Sequence, residues 1–297
     1  MRTTKKLGFS LIVALMVFFS ACNEDGGIDL TVDDSASVEN EATTDSYFEE
    51  TDDLALIAVA SDDATKTGGK VGTGGRKIGI NDFRLACDGV EVTIEVADDS
   101  TPESPKGTIT IDFGDGCEDA RGNVRKGIII INYEGRRFLP GSVIVTTFEG
   151  YEINGVKIEG KRTVTNVSGS LEEFPKFNIV VENGKATWPD GTFATREANR
   201  TREWIRAVNP LNDEWSVTGT AAGTNRNGTV YTMEVKEALV YKRECAVLNR
   251  IFMAVKGVKV LQVGDRVITI DYGDGECDRI VKVTINGESR EVEVSGK

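Results

Sequence analysis

The strongest constraint on this chain is a two-residue rhythm that returns throughout its last two thirds. Residues 90–96 read Val-Glu-Val-Thr-Ile-Glu-Val. In an extended strand that order puts the aliphatic side chains on one face and the polar ones on the other. Comparable runs occupy residues 108–113, 128–133, 143–148, 176–182, 229–235, 267–272 and 280–285. Between them stand Asn154-Gly155, Asn183-Gly184, Asn227-Gly228 and Asn286-Gly287, with Asp-Gly pairs at Asp88, Asp115, Asp190 and Asp274. These dipeptides tolerate positive φ, which tight hairpin turns require. No part of this region carries a long 3.6-residue amphipathic pattern. The expected fold is all-β, an antiparallel meander of long strands forming a sandwich or a rolled sheet, with a short N-terminal helix.

The N-terminal segment has a different character. Arg2, Lys5 and Lys6 precede an apolar run at residues 7–19 that has the length of a signal-peptide core. It is short for a transmembrane helix. The run ends in Phe19-Ser20-Ala21-Cys22, which resembles the bacterial lipobox, with Phe19 where Leu is usual. That resemblance implies a signal peptide over residues 1–21 and lipidation of Cys22, and hence attachment to a membrane through several acyl chains. The following Asn23-Glu24-Asp25 resembles the acidic export signal of Bacteroidota surface lipoproteins. It implies an outer-membrane, surface-exposed location, with the periplasmic face as the alternative.

Charge divides the chain as sharply as hydropathy does. The net charge is −13, and Cys22 to Asp63 holds 14 acidic residues with no Lys or Arg, which leaves the chain from Ala64 onward at −2. Such a balance excludes a general nucleic-acid binder. Residues 22–63 are expected to form an acidic stalk, disordered to about Thr44. A short helix is expected near 47–60, started by the capping box Ser46-Tyr47-Phe48-Glu49. Residues 64–297 form the β-rich body. Histidine is absent, so His-dependent triads, zinc sites and imidazole switches are excluded.

A weak internal repeat covers residues 87–134 and 245–295. Asp112-Phe113-Gly114-Asp115-Gly116 is followed by Cys117, and Asp271-Tyr272-Gly273-Asp274-Gly275 by Cys277; Cys87 and Cys245 lie some thirty residues upstream. Four cysteines allow three connectivities, of which Cys87 to Cys117 with Cys245 to Cys277 is the economical choice in an exported protein. The five-residue motif is similar to a turn of PKD-type β-sandwich modules. The lipobox, acidic stalk and paired turns together resemble uncharacterised β-rich lipoproteins of the Bacteroidota envelope, a resemblance that implies no known activity.

Two groups of residues are candidates for chemistry. Asp112, Asp115 and Asp119 in one copy, and Asp271, Asp274 and Asp278 in the other, offer hard oxygen ligands for Ca²⁺; the alternative is that they build their turns without a cofactor. Read as a strand, residues 196–206 place Arg196, Arg200, Arg202, Trp204 and Arg206 on one face, suited to an anionic glycan or phosphate group. Trp188 and Trp215 are candidates to extend that platform. The alternative is a solvated face paired with glutamates of neighbouring strands. No residues form a recognisable catalytic set. The expectation is a lipid-anchored, non-enzymatic protein that binds a glycan or a surface protein; a carbohydrate-active accessory protein or hydrolase, and a structural envelope protein, are the alternatives.

Overall fold

A computed structural model describes residues 32–61, 75–80, 82–87, 89–120 and 122–294. The expected signal peptide, Cys22 and the first residues of the expected stalk lie outside the described residues, as does Asp88. The chain opens with helix α1 (Val32–Ser61) and continues into strands β1 (Arg76–Lys77), β2 (Glu91–Val96), β3 (Lys106–Asp112), β4 (Cys117–Glu118) and β5 (Val124–Glu134). Then come β6 (Val143–Ile153), β7 (Val156–Asn166), β8 (Lys176–Thr187), β9 (Phe193–Ile205), β10 (Glu214–Thr224) and β11 (Val230–Lys242). After a six-residue helix α2 (Arg243–Leu248), the chain ends with β12 (Lys256–Val263), β13 (Arg266–Asp274), β14 (Ile280–Ile285) and β15 (Glu288–Glu293).

All fifteen strands belong to one antiparallel open sheet, each beside its predecessor except that β3 pairs with β5 and β4 pairs only with β5. The meander is therefore a single sheet and not a sandwich. Period-two alternation delivers one buried face: Ile94, Ile109, Ile111, Ile129, Ile131, Ile158, Leu261 and Ile268 are fully buried. A sandwich would cover that face with a second sheet. Here α1 does so, contributing Phe48, Leu54, Ala55 and Ala58, all inaccessible to solvent, to the same core.

Every strand pair from β5/β6 to β12/β13, other than β9/β10, contains a register shift. Bulges of this kind bend a sheet and increase its twist. Asn183-Gly184 is one of these irregularities and not a hairpin turn: β8 runs straight through it, with Asn183 at φ +53°. Gly184 is needed there because a Cβ would stand 2.6 Å from the Arg196 carbonyl oxygen and 2.9 Å from the Phe48 ring. On a flat sheet β5 and β12 would lie about 34 Å apart. Both nevertheless reach carboxylates of α1 that are nine residues, or about 14 Å, apart along the helix. The sheet is rolled around α1.

The helix is the main departure from expectation. It begins at Val32 and spans 30 residues, so the predicted disordered stalk is helical over its described part and packed into the body. The physical reason is that its acidic face meets cations of the sheet, a partner that local composition does not reveal. The internal repeat is realised as two matching units. In each, a helical turn carrying or flanking a cysteine precedes a hairpin, the Asp-aromatic-Gly-Asp-Gly turn and a second cysteine. The bridges are Cys87 to Cys117 and Cys245 to Cys277, with Cα separations of 5.8 and 5.2 Å.

Phe48 sets the closest approach between helix and sheet, lying edge-on to Phe148 at 6.4 Å and over Gly184. Phe48→Ala should cost about 3–5 kcal/mol of stability through lost burial and the cavity left behind. Urea denaturation of the mature chain checks this, and a loss below about 1 kcal/mol would show that α1 is not anchored at this point.

Candidate functional site

The arginine ladder of β9 keeps the parity read from the sequence, but its face is the inner one. Arg196 is fully buried and Arg200 nearly so. Glu41 of α1, itself 1% exposed, lies 3.0 Å from Arg196, 3.5 Å from Arg200 and 3.1 Å from Lys259 on β12. Asp45, one turn later, stands 2.7 Å from both Arg196 and Arg200. Glu49, another turn on, pairs with Arg202 and lies 3.2 Å from Arg162 on β7. Glu50 pairs with Arg125 at the start of β5, whose other nitrogen is 2.6 Å from buried Asp119. Arg196, Arg200 and Arg202 are thus occupied by the protein's own helix, and they are neither a free platform for an anionic ligand nor a face paired with neighbouring strands.

Burial alone would raise the carboxyl pKa values along this seam. For Glu41, the charges of Lys259 and Arg196 reverse that and hold it below its ordinary value. Asp45 is held well below the carboxylate range by Arg196 and Arg200 against the same burial. Glu49 is lowered by Arg162 and Arg202. Sequence reasoning missed Glu41, Asp45 and Glu49, together with Arg125, Arg162 and Lys259. The available signal was spacing: the three acids recur every four residues, one face of a helix, opposite a strand whose arginines also share one face.

The aromatic residues divide between the two ends of the sheet. Trp204 and Trp215 stack in register across β9 and β10, with centroids 6.3 Å apart and planes at 5°. Phe138, from the β5–β6 loop, lies 6.0 Å from Trp204 and 6.2 Å from Phe177, with the Arg137 guanidinium 5.0 Å from its ring. Arg206 is exposed and lies 5.9 Å from the Trp204 ring. Trp188 does not join them. It sits at the opposite end against Tyr47 of α1, with Arg226 4.3 Å from its ring.

The acidic turns carry out backbone work. Asp112 accepts the Gly114 N–H at 2.8 Å, and Asp271 accepts the Gly273 N–H at 2.9 Å, an equivalent bond in both copies. Asp278 accepts the Ile280 N–H at 3.0 Å, and Asp119 accepts the Asn123 N–H as well as binding Arg125. Asp271, Asp274 and Asp278 border a hollow of about 300 Å³ that also includes Lys282. Among the described residues, three metal-capable side chains converge only at Glu244, Cys245 and Cys277. Both of those cysteines are committed to a disulfide. Asp115 completes the first turn beside Gly114 and Gly116, which take positive φ.

The feature that no motif announced is on the outer face. Strands β8 to β12 form a shallow trough of about 590 Å³ on this face, lined by Asn199, Thr220, Thr232 and Gln262 together with the outward-facing Val180, Ala222 and Val260. Its carboxylates are already engaged. Glu182 pairs with Lys161 at 2.6 Å, Glu234 with Lys236 at 2.5 Å, and Glu197 accepts the Asn183 N–H at 2.7 Å. Comparison with known protein families, with curated proteins and with solved structures finds no match to this chain.

Two predictions follow from the charged seam. Arg196→Met leaves Glu41 and Asp45 buried with one cation fewer and should cost about 3–5 kcal/mol, most of it regained when Glu41→Gln is added; a double-mutant cycle in urea measures both. The second concerns acid. Because Asp45 and Glu49 have depressed folded-state pKa values, the stability they provide is present above the ordinary carboxylate range and is lost as pH falls from about 4 downward. Asp45→Asn should therefore lose less stability than the wild type between about pH 5 and 2, and an equal loss would remove Asp45 from the account.

Proposed function

We propose that this chain is a non-enzymatic binding protein, held on the outer membrane by lipid at Cys22, that receives its ligand on the outer face of the sheet. The observation that carries this reading is the trough across β8 to β12. Its volume falls in the range of small-molecule and sugar-sized sites. Its hydroxyls and amides stand beside the side chains of Val180, Ala222 and Val260, a lining suited to the mixed polar and apolar faces of a glycan. The engaged state of Glu182, Glu197 and Glu234 favours binding over hydrolysis, since a glycosidase needs two carboxyl groups facing one bond. Two disulfides in a chain of this composition agree with an oxidising compartment.

The lipid and the ligand are tested separately. Mass spectrometry of the mature protein should find an acylated N-terminal Cys22. A glycan array probed with the same protein should give a retained class of ligand, and Thr220→Arg with Thr232→Arg should lower that signal at least about tenfold while stability stays within about 0.5 kcal/mol of wild type. Retention that survives the blocked trough would move the site elsewhere, and turnover of a retained glycan would replace the binding role with a hydrolase.

A further inference from the structure

An asparagine followed by glycine is chemically unstable, because glycine has no side chain to keep its backbone nitrogen away from the asparagine carboxamide. The chain has four such dipeptides, Asn154-Gly155, Asn183-Gly184, Asn227-Gly228 and Asn286-Gly287. Whether one reacts depends on two groups. The glycine N–H must be able to lose its proton, and the carboxamide must be free to swing onto the nitrogen. A hydrogen bond or close packing at either group delays reaction until the segment opens locally.

Three of the four are held. Asn154 Oδ1 accepts the Val124 N–H at 2.9 Å and its Nδ2 donates to Asn123 Oδ1 at 3.0 Å, which clamps the carboxamide at both ends. Gly184 is buried within β8 against the Arg196 carbonyl and the Phe48 ring, and the preceding Asn183 N–H is bound to Glu197 at 2.7 Å. At the third, the Gly228 N–H donates to the Asn225 carbonyl at 2.8 Å while Asn227 Oδ1 accepts the Thr229 N–H at 3.0 Å, so both reacting groups are occupied. Asn286 escapes all of these restraints. It and Gly287 are exposed, and neither the Asn286 carboxamide nor the Gly287 N–H has a hydrogen-bond partner among the described residues. A Cβ added at Gly287 would meet nothing within 4 Å, so a new ring has room to form. The turn joins β14 to β15, and β15 pairs with β14 alone at the end of the sheet, so this hairpin is supported from one side only.

We infer that Asn286-Gly287 is a site of spontaneous deamidation, set apart from the other three dipeptides by the fold. The deprotonated Gly287 nitrogen attacks Asn286 Cγ. The N–Cγ bond forms, the Cγ–Nδ2 bond breaks, and the departing nitrogen takes up a proton and leaves as ammonia. Solvent water then opens the succinimide at one of its two carbonyls and yields aspartate or isoaspartate. Either product adds a negative charge beside Glu288. Isoaspartate also routes the main chain through Cβ, which lengthens a loop whose two residues fix the pairing of Ile285 with Glu288. The modified hairpin cannot keep its ladder unchanged, and the outermost strand β15, which holds Val292 in the core, is the element that loosens.

The test incubates the mature chain with both disulfides intact, folded and in parallel unfolded in guanidinium chloride, and reads all four dipeptides by peptide mass spectrometry. In the folded protein Asn286 should convert at least about tenfold faster than Asn154, Asn183 or Asn227, the protection expected where reaction waits on local opening. Unfolding should bring the four rates together. The rate at Asn286 should rise with pH through neutrality, because the Gly287 nitrogen must lose its proton. Hydrogen exchange of the aged, isoaspartate-bearing protein should be faster across residues 288–293 and unchanged across the β6–β7 hairpin. Equal rates at the four sites of the folded protein, faster conversion at any of the other three, or an intact Asn286 under conditions that convert the unfolded chain would each overturn the inference. Conversion at Asn286 with exchange across β15 unaltered would overturn the effect assigned to that strand.

Discussion

The structure depends on a seam of opposite charges between one helix and the concave face of one sheet. An open sheet of fifteen strands has a buried face much larger than any one strand can cover, and among the described residues no second sheet covers it. Helix α1 fills that space with two kinds of surface. Its second half presents Leu54, Ala55, Leu56 and Ala58 to the isoleucines of the sheet, and its middle presents Glu41, Asp45 and Glu49 to cations on β7, β9 and β12. The apolar half supplies stabilisation through burial. The charged half contributes little net energy, because dehydrating buried ions costs about as much as their attraction returns.

What the charges supply is register. A purely apolar helix could slide along a groove lined with isoleucine and valine at small cost. Sliding α1 by half a turn would take Glu41, Asp45 and Glu49 together away from Arg196, Arg200 and Arg202 and leave buried guanidinium groups without a carboxylate opposite them, a severe penalty in a low-dielectric interior. The glycine-bearing bulges act together with this constraint. They roll the sheet until cations on strands as distant as β5 and β12 reach the same helix, and Gly184 lets Phe48 approach the backbone closely. Disulfides then fasten the Asp-aromatic-Gly-Asp-Gly turns of the two repeat units.

Closing the inner face leaves the outer face and the ends of the sheet as surfaces for interaction. The outer trough lies on strands whose inner residues are held by α1, so its shape is fixed by the same packing that seals the core. The meander itself sorts alternate connections to opposite ends, short turns such as 154–155 and 286–287 to one and longer loops such as 167–175 and 243–255 to the other.

Much of this was legible in the residues. Alternation fixed which side chains of each strand share a face, and Asn154-Gly155 and Asn286-Gly287 take the positive φ values of tight turns. The repeat pointed to the within-copy disulfides, and the parity of Arg196, Arg200, Arg202 and Trp204 was correct. Local pattern could not say which face was inside, because arginine reads as solvent-exposed unless its counter-charge is known, and that counter-charge lies some 155 residues away in sequence, at Glu41 and Asp45. For the same reason an acidic segment with few apolar residues read as a stalk, and Asn183-Gly184 read as a turn until its neighbours showed β8 continuing through it. The sequence by itself established an antiparallel meander, the two faces of the strands that alternation marks, and a repeat that pointed to the within-copy cysteine pairs, since these depend on neighbours within a few residues or on a visible repeat. Only the tertiary structure decided that the acidic helix fills the roll of the sheet, because a buried charge is tolerated only where its distant partner has been brought alongside.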